Sequence, residues 1–192
     1  MSIVYFITHP QVTIDPAVPV PDWGLSPVGI DRMRLLCEIP RLSNVRSIFS
    51  SAERKARDAA NILAERLRLS SAIVEELGEN DRSATGYLPN EQFQQLADQF
   101  FAVPDQSVRG WERAIDAQRR IVLAVDHAIA MAPPGDIAVV SHGAVGALLL
   151  CHLKGVPISR AHDQPGEGGG NIFSFDAESR RLLSDWHGIE AG

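Results

Sequence analysis

Short apolar runs that stop abruptly at polar residues alternate along this chain with longer stretches in which apolar positions recur every three or four residues. The first run, Ile3-Val4-Tyr5-Phe6-Ile7, stops at Thr8-His9, and a later one, Ile137-Ala138-Val139-Val140, stops at Ser141-His142-Gly143. Runs of this length and composition predict buried strands. A proline-rich loop (Pro10, Pro16, Pro19, Pro21) leads to Ser26-Pro27, an N-cap followed by proline at the first helical position. Ile30, Met33 and Cys37 mark one side of that helix, and Pro40 lies beyond its end. Residues 46–50 predict a second strand. Residues 52–69 predict a helix striped with Ala56, Ala59, Ala60, Leu63 and Leu67. A third short strand falls at 72–74, and turn-forming residues make 77–90 an irregular loop. Helical stretches follow at 91–101 and 108–132, then the strand at 137–140 and a helix at 144–153. A glycine loop at 166–170 precedes a closing antiparallel hairpin, 172–175 with 181–186.

Strands alternating with helices predict an α/β fold of three layers, α/β/α, around a mostly parallel central sheet. The length of 192 residues fits a single domain over 1–192, with a helical insertion at about 77–135. Helices on both faces of the sheet would bring the carboxyl ends of the strands, and with them His9 and His142, to one crevice. Composition narrows the partners. A net charge of −6, with Lys and Arg mixed among acids, gives no electrostatic footprint for nucleic acid and argues against an anionic membrane surface. No apolar stretch is long enough to span a bilayer, and no basic residue precedes the short apolar run at the N-terminus. Cys37 and Cys151 lie far apart in apolar helical patterns and read as buried free thiols of a reducing compartment. A cytoplasmic protein is the expectation.

Histidine is the side chain best suited to nucleophilic and acid–base work near neutral pH, so two of them at strand ends are the first candidates for chemistry. His142 also opens a helix, whose backbone N–H groups favour an anion. The turn Ser50-Ser51 opens another helix, with Arg54, Lys55 and Arg57 in its first turns. Cations there oppose the helix dipole, which points to an anionic ligand or, more simply, to a solvated basic face. Glu79, in the loop Leu77-Gly78-Glu79-Asn80-Asp81-Arg82, is a candidate proton donor or a surface acid. Arg82, Ser83 and Thr85 offer further donors. Trp23, Tyr87, Phe93 and Trp111 either line a pocket or pack. A metal held by His9, His142 and Glu79 is a further alternative, but the spacing fits no metal motif and no metal is expected.

Five segments in order resemble the histidine phosphatase superfamily, the phosphoglycerate mutase-like proteins, over nearly the whole chain. The strand ending at His9 resembles the family's Arg-His-Gly strand. Residues 23–29, Trp-Gly-Leu-Ser-Pro-Val-Gly, resemble its Leu-Thr-x-x-Gly segment, and Ser50-Ser51-Ala52-Glu53-Arg54-Lys55-Ala56 resembles Ser-Ser-x-x-x-Arg-Ala. Leu77-Gly78-Glu79 resembles its Leu-x-Glu, and Val139-Val140-Ser141-His142-Gly143 its second histidine motif. The resemblance implies a phosphomonoesterase acting on a small phosphorylated metabolite without a cofactor. His9 would be the nucleophile forming a phosphohistidine, His142 its electrostatic partner and Glu79 the acid. Thr8, Ser51, Arg54, Lys55 and Arg82 would bind substrate. The sequence departs from the family pattern at the phosphate grip: Thr8 and Lys55 stand where arginines are expected, Pro10 where glycine is, and Asp15 where asparagine is frequent. Arginine grips phosphate bidentately; lysine is a point charge and threonine is neutral. The alternative is therefore a degenerate member that binds a phosphorylated ligand or a protein without turnover. A homodimer through an exposed sheet edge is a further expectation.

Overall fold

The computed structural model describes residues 2–166 and 168–188. Four strands, β1 (Ile3–Thr8), β2 (Val45–Ser50), β3 (Ser71–Ile73) and β4 (Asp136–Ser141), run parallel, and β5 (Asn171–Asp176) lies antiparallel between β1 and β6 (Leu182–Gly188). The six form one sheet in the order β3-β2-β4-β1-β5-β6. Among the described residues five α-helices accompany it: α1 (Pro27–Leu36), α2 (Arg54–Leu67), α3 (Asn90–Ala102), α4 (Ala114–Met131) and α5 (Gly143–Lys154). The mostly parallel three-layer arrangement expected from the alternation of apolar runs is the one observed.

Both faces of the sheet are covered, which explains why its strands read as continuous apolar runs. On one face Tyr5, Ile7, Ile48 and Val140 pack with Met33 and Leu36 of α1 and Ala60 and Leu63 of α2. On the other, Val4, Phe6, Val139 and Phe173 pack with Ile121 and Val125 of α4 and Val145 and Leu149 of α5. Phe6 stacks on Phe173 with ring centroids 5.0 Å apart, and Trp186 meets Phe173 edge-on. A satellite cluster joins Leu96, Phe100 and Phe101 of α3 to Trp111 and to Ala147 and Leu148 of α5. Cys37 and Cys151 are buried without a disulfide. Among the described residues no helix is long and apolar enough to cross a membrane.

Element boundaries move by a residue or two from those expected, with one larger exception. The helix expected from 108 begins at Ala114. Arg109 and Gly110 adopt left-handed conformations (φ 50° and 84°), and Ser107 Oγ donates to the Trp111 carbonyl at 2.6 Å. Val108 and Trp111 supplied apolar spacing that resembles a helix, but they close a turn and bury themselves against α3.

The pairing of β1 with β4 fixes the crevice. Thr8 pairs with Ser141, and the His9 backbone N–H donates to the Ser141 carbonyl at 3.1 Å, so the next residues, His9 and His142, emerge level. The chain leaves β1 toward the face carrying α1 and leaves β4 toward the face carrying α5. This divergence opens the space at the strand ends where α/β proteins bind ligands. Two glycines keep the approach tight. A β-carbon on Gly169 would overlap the His9 carbonyl oxygen, and one on Gly29 the Gln11 carbonyl oxygen. Gly29 sits in the first turn of α1, where Gly→Ala is ordinarily stabilising. Here the overlap with fixed backbone reverses the sign: Gly29→Ala is expected to destabilise by about 1–3 kcal/mol, read as a lowered midpoint in thermal or urea unfolding.

Candidate active site

His9 and His142 face each other with ring centroids 5.1 Å apart. His9 Nδ1 lies 2.9 Å from the Pro10 carbonyl oxygen. A carbonyl only accepts, so Nδ1 carries the proton and Nε2 keeps its lone pair. Pro10 thus supplies the orienting carbonyl although it lacks the N–H that glycine would bring. Burial, helped by the Lys55 ammonium, pushes the His9 imidazole down to about 4. Burial also drives His142 well below its usual range, although the Glu53 carboxylate works the other way. Both rings are therefore uncharged at neutral pH. His142 is fully buried; its Nε2 lies 2.7 Å from Ser51 Oγ and 3.3 Å from Glu53 Oε1, while its Nδ1 has no hydrogen-bond partner among the described residues.

Glu53 ties the site together. Its Oε1 also accepts the Glu79 backbone N–H at 2.9 Å, and its Oε2 lies 2.5 Å from Lys55 Nζ. Burial works against its charge, but Lys55 and His142, the latter in its protonated form, outweigh that and hold the carboxyl at about 2. With His142 neutral, Lys55 is the standing counter-ion. Lys55, only 3% exposed, spends a second donor on the Val20 carbonyl at 2.9 Å. The position where the family resemblance expects a phosphate-binding arginine is thus locked in an internal ion pair.

Glu79 projects from the loop after β3 onto the start of α5. Its carboxylate accepts the backbone N–H groups of Val145 at 3.1 Å and Ala144 at 3.3 Å. Two of the amides expected to receive an anion at this helix are therefore taken by the protein's own acid. Burial raises the Glu79 carboxyl above its usual range, with Arg82 opposing and Glu53 reinforcing the shift. Arg120 of α4 staples the loop: its guanidinium donates to the carbonyls of Glu76, Gly78 and Glu79 and pairs with Glu112 at 2.8 Å.

The remaining candidates separate. Ser51 is buried against His142 and accepts the Glu53 N–H at 3.3 Å. The Arg82 guanidinium lies 4.9 Å from the Phe93 ring centroid and 5.7 Å from that of Trp111, and its charge reaches Glu79 and both histidines. Arg54 is exposed beside Asp58, 3.9 Å away. Asp15 is exposed and caps a turn through the Ala17 N–H. Trp23 and Trp111 are buried packing residues, with Trp23 edge-on to Tyr87 at 5.6 Å. Thr8, buried at the end of β1, bonds Gln164 and Asn171. Glu53, Arg120 and Gln164 were not singled out in the sequence. Glu53 lay inside the Ser-Ser segment and was the one of the three with a legible signal. Among the described residues no group of three or more His, Cys, Asp or Glu side chains is arranged to hold a metal ion.

Residues 4–184 match the family model of the histidine phosphatase superfamily (branch 1), and the chain belongs to that superfamily. No curated protein matches it in sequence. Among solved structures it is similar to Bacillus stearothermophilus YhfR (TM-score 0.80, 18% identity, 96% of this chain and 95% of that one). It is also similar to mycobacterial glucosyl-3-phosphoglycerate phosphatase (TM-score 0.78, 22% identity, 96% and 97%). A third is a phosphoserine phosphatase from Entamoeba histolytica in complex with 3-phosphoglyceric acid (TM-score 0.74, 19% identity, 96% and 95%). At these identities the likeness establishes the phosphoglycerate mutase-like fold.

The Glu53–Lys55 pair generates a stability prediction. Glu53→Gln leaves a buried ammonium without its counter-ion and is expected to cost about 3 kcal/mol. Adding Lys55→Met to Glu53→Gln should recover most of the loss in a double-mutant cycle of urea unfolding, because the second change removes the stranded charge.

Proposed function

We propose that the protein is a phosphomonoesterase acting on a small phosphorylated metabolite through a phosphohistidine at His9. One observation carries this reading. The His9 proton is committed to the Pro10 carbonyl, which leaves Nε2 as an uncharged nucleophile, and the loop over the start of α5 supplies a partly buried acid, Glu79, with a raised pKa. Nε2 attacks phosphorus, the P–O ester bond breaks, and the leaving alkoxide takes the proton of Glu79. Water then attacks phosphorus as the P–N bond breaks, Glu79 recovers a proton from that water, and inorganic phosphate leaves with His9 restored. Dividing one difficult transfer into two steps is the ordinary advantage of a covalent nucleophile. His142 serves the same transfer. An incoming phosphoryl dianion favours its protonated form, whose Nδ1–H then donates to the developing charge. Arg82 contributes a positive field from the loop.

Thr8 and the internally paired Lys55 favour a second reading, a binder of phosphorylated ligands without turnover. Hydrolysis of para-nitrophenyl phosphate separates the two. Turnover that disappears in His9→Ala supports the phosphatase; saturable binding of orthophosphate with no product from any phosphate ester supports the binder.

The pH dependence follows from the two shifts. His9, lowered from 6.5 to about 4, is in its nucleophilic form above that pH. Glu79, raised above 4.5, keeps its transferable proton to higher pH than an ordinary glutamate. The expected kcat/KM therefore rises through about pH 4 as His9 loses its proton and falls on the alkaline side as Glu79 loses its own. Glu79→Gln should slow hydrolysis of alkyl phosphates by about 10²–10⁴. It should affect the nitrophenyl ester less, because that leaving group departs without a proton.

A further inference from the structure

Gln164 lies in the loop before β5, and its side-chain amide is oriented without ambiguity. Its Oε1 accepts from Thr8 Oγ1 at 2.7 Å and from Asn171 Nδ2 at 3.0 Å. The Thr8 hydroxyl itself accepts the Asn171 backbone N–H at 2.9 Å, so its own proton is directed to Gln164. Two donors on one side of the amide fix Oε1 there and turn the NH2 group away. That group presses on Gly143, the first residue of α5, where a β-carbon would overlap Nε2. The structure gives Nε2 no acceptor among the described residues.

Gly143 is the neighbour of His142, whose fully buried Nδ1 is likewise without a partner. One unfilled nitrogen thus lies against Gly143 and the other belongs to the residue before it at the head of α5, while Thr8, the residue before His9, holds the Gln164 amide. Glu79 already occupies the amides of Ala144 and Val145, and Glu53 occupies Lys55. A phosphoryl group fits both: its oxygens accept from the Gln164 amide and from His142 Nδ1 once the bound dianion has favoured the protonated ring.

We infer that the side-chain amide of Gln164 donates to a phosphoryl oxygen of the substrate, supplying from the loop before β5 the hydrogen bonds that Thr8 does not. Thr8 and Asn171 are positioning residues that aim the amide. The inference rests on the phosphatase reading above. It makes the phosphate grip of this protein partly a neutral one, built by an uncharged amide held from behind.

Gln164→Glu tests it with little structural disturbance. The variant keeps an oxygen for Thr8 and Asn171 and replaces only the outward NH2 by an acceptor. Gln164→Ala, which removes both ends, is the second variant, and thermal unfolding reports whether each is folded. Calorimetric binding of orthophosphate, and kcat and KM for para-nitrophenyl phosphate, are measured on the full chain. The expected result is about tenfold to a hundredfold weaker orthophosphate binding in Gln164→Glu, at an unchanged unfolding midpoint, and a smaller loss in Gln164→Ala. Wild-type affinity and KM in both variants would overturn the assignment of Gln164 while leaving the phosphatase standing. A wild-type protein that neither binds orthophosphate nor turns over the ester would overturn both.

Discussion

The Glu53 carboxylate is the contact on which the rest of the site depends. One oxygen holds the Glu79 backbone and faces His142; the other holds Lys55. Three separate stretches of chain, the β2–α2 turn, the loop after β3 and the β4–α5 junction, meet on this one group. Its charge is sustained by a lysine that is itself almost wholly buried. Taking two such charges out of water is costly, and the pair is retained because each partner also satisfies backbone or imidazole groups. Glu53 thereby holds the Glu79 backbone in place, faces His142 Nε2 and engages the charge of Lys55.

The second constraint is the register of β1 against β4. Side-by-side pairing of Thr8 with Ser141 brings His9 and His142 level, and the divergence of α1 and α5 to opposite faces leaves space above them. Low dielectric around the two rings keeps both uncharged. On the proposed reading, the resting site holds a neutral nucleophile with a protonatable partner, and charge enters with the phosphoryl group, so electrostatic stabilisation grows as that reaction needs it. With one expected arginine replaced by threonine and the other by an internally paired lysine, the positive charge near the histidines is Arg82 and the screened Lys55. An amide from Gln164 suits such a pocket because it donates without adding charge.

The fold was legible in the sequence because its signals were local. Apolar runs ending at Thr8-His9 and Ser141-His142, the Ser26-Pro27 cap and the alanine stripe of α2 each report their own element. The exception, the start of α4, failed because Val108 and Trp111 are apolar for a tertiary reason, burial against α3. The histidines and Glu79 were legible for the same local reason, being polar residues at strand ends or in the loop that follows. Gln164 was not, and Glu53 was visible only as a member of the Ser-Ser segment, without its role. Their significance lies in partners distant in sequence, a glutamate meeting His142 and a glutamine meeting Thr8 and Gly143. Lys55 shows the converse. Its sequence context suggested a ligand-binding cation, and only the neighbouring carboxylate reveals that its charge is already used.

Direct trapping of the covalent intermediate tests the central claim most sharply. Rapid mixing with a phosphate ester, quenching in base and peptide mass spectrometry should find an acid-labile phosphoryl group on the His9 peptide, formed and lost at rates compatible with turnover and absent in His9→Ala. Steady turnover with no such adduct, or an adduct confined to another residue, would contradict the account.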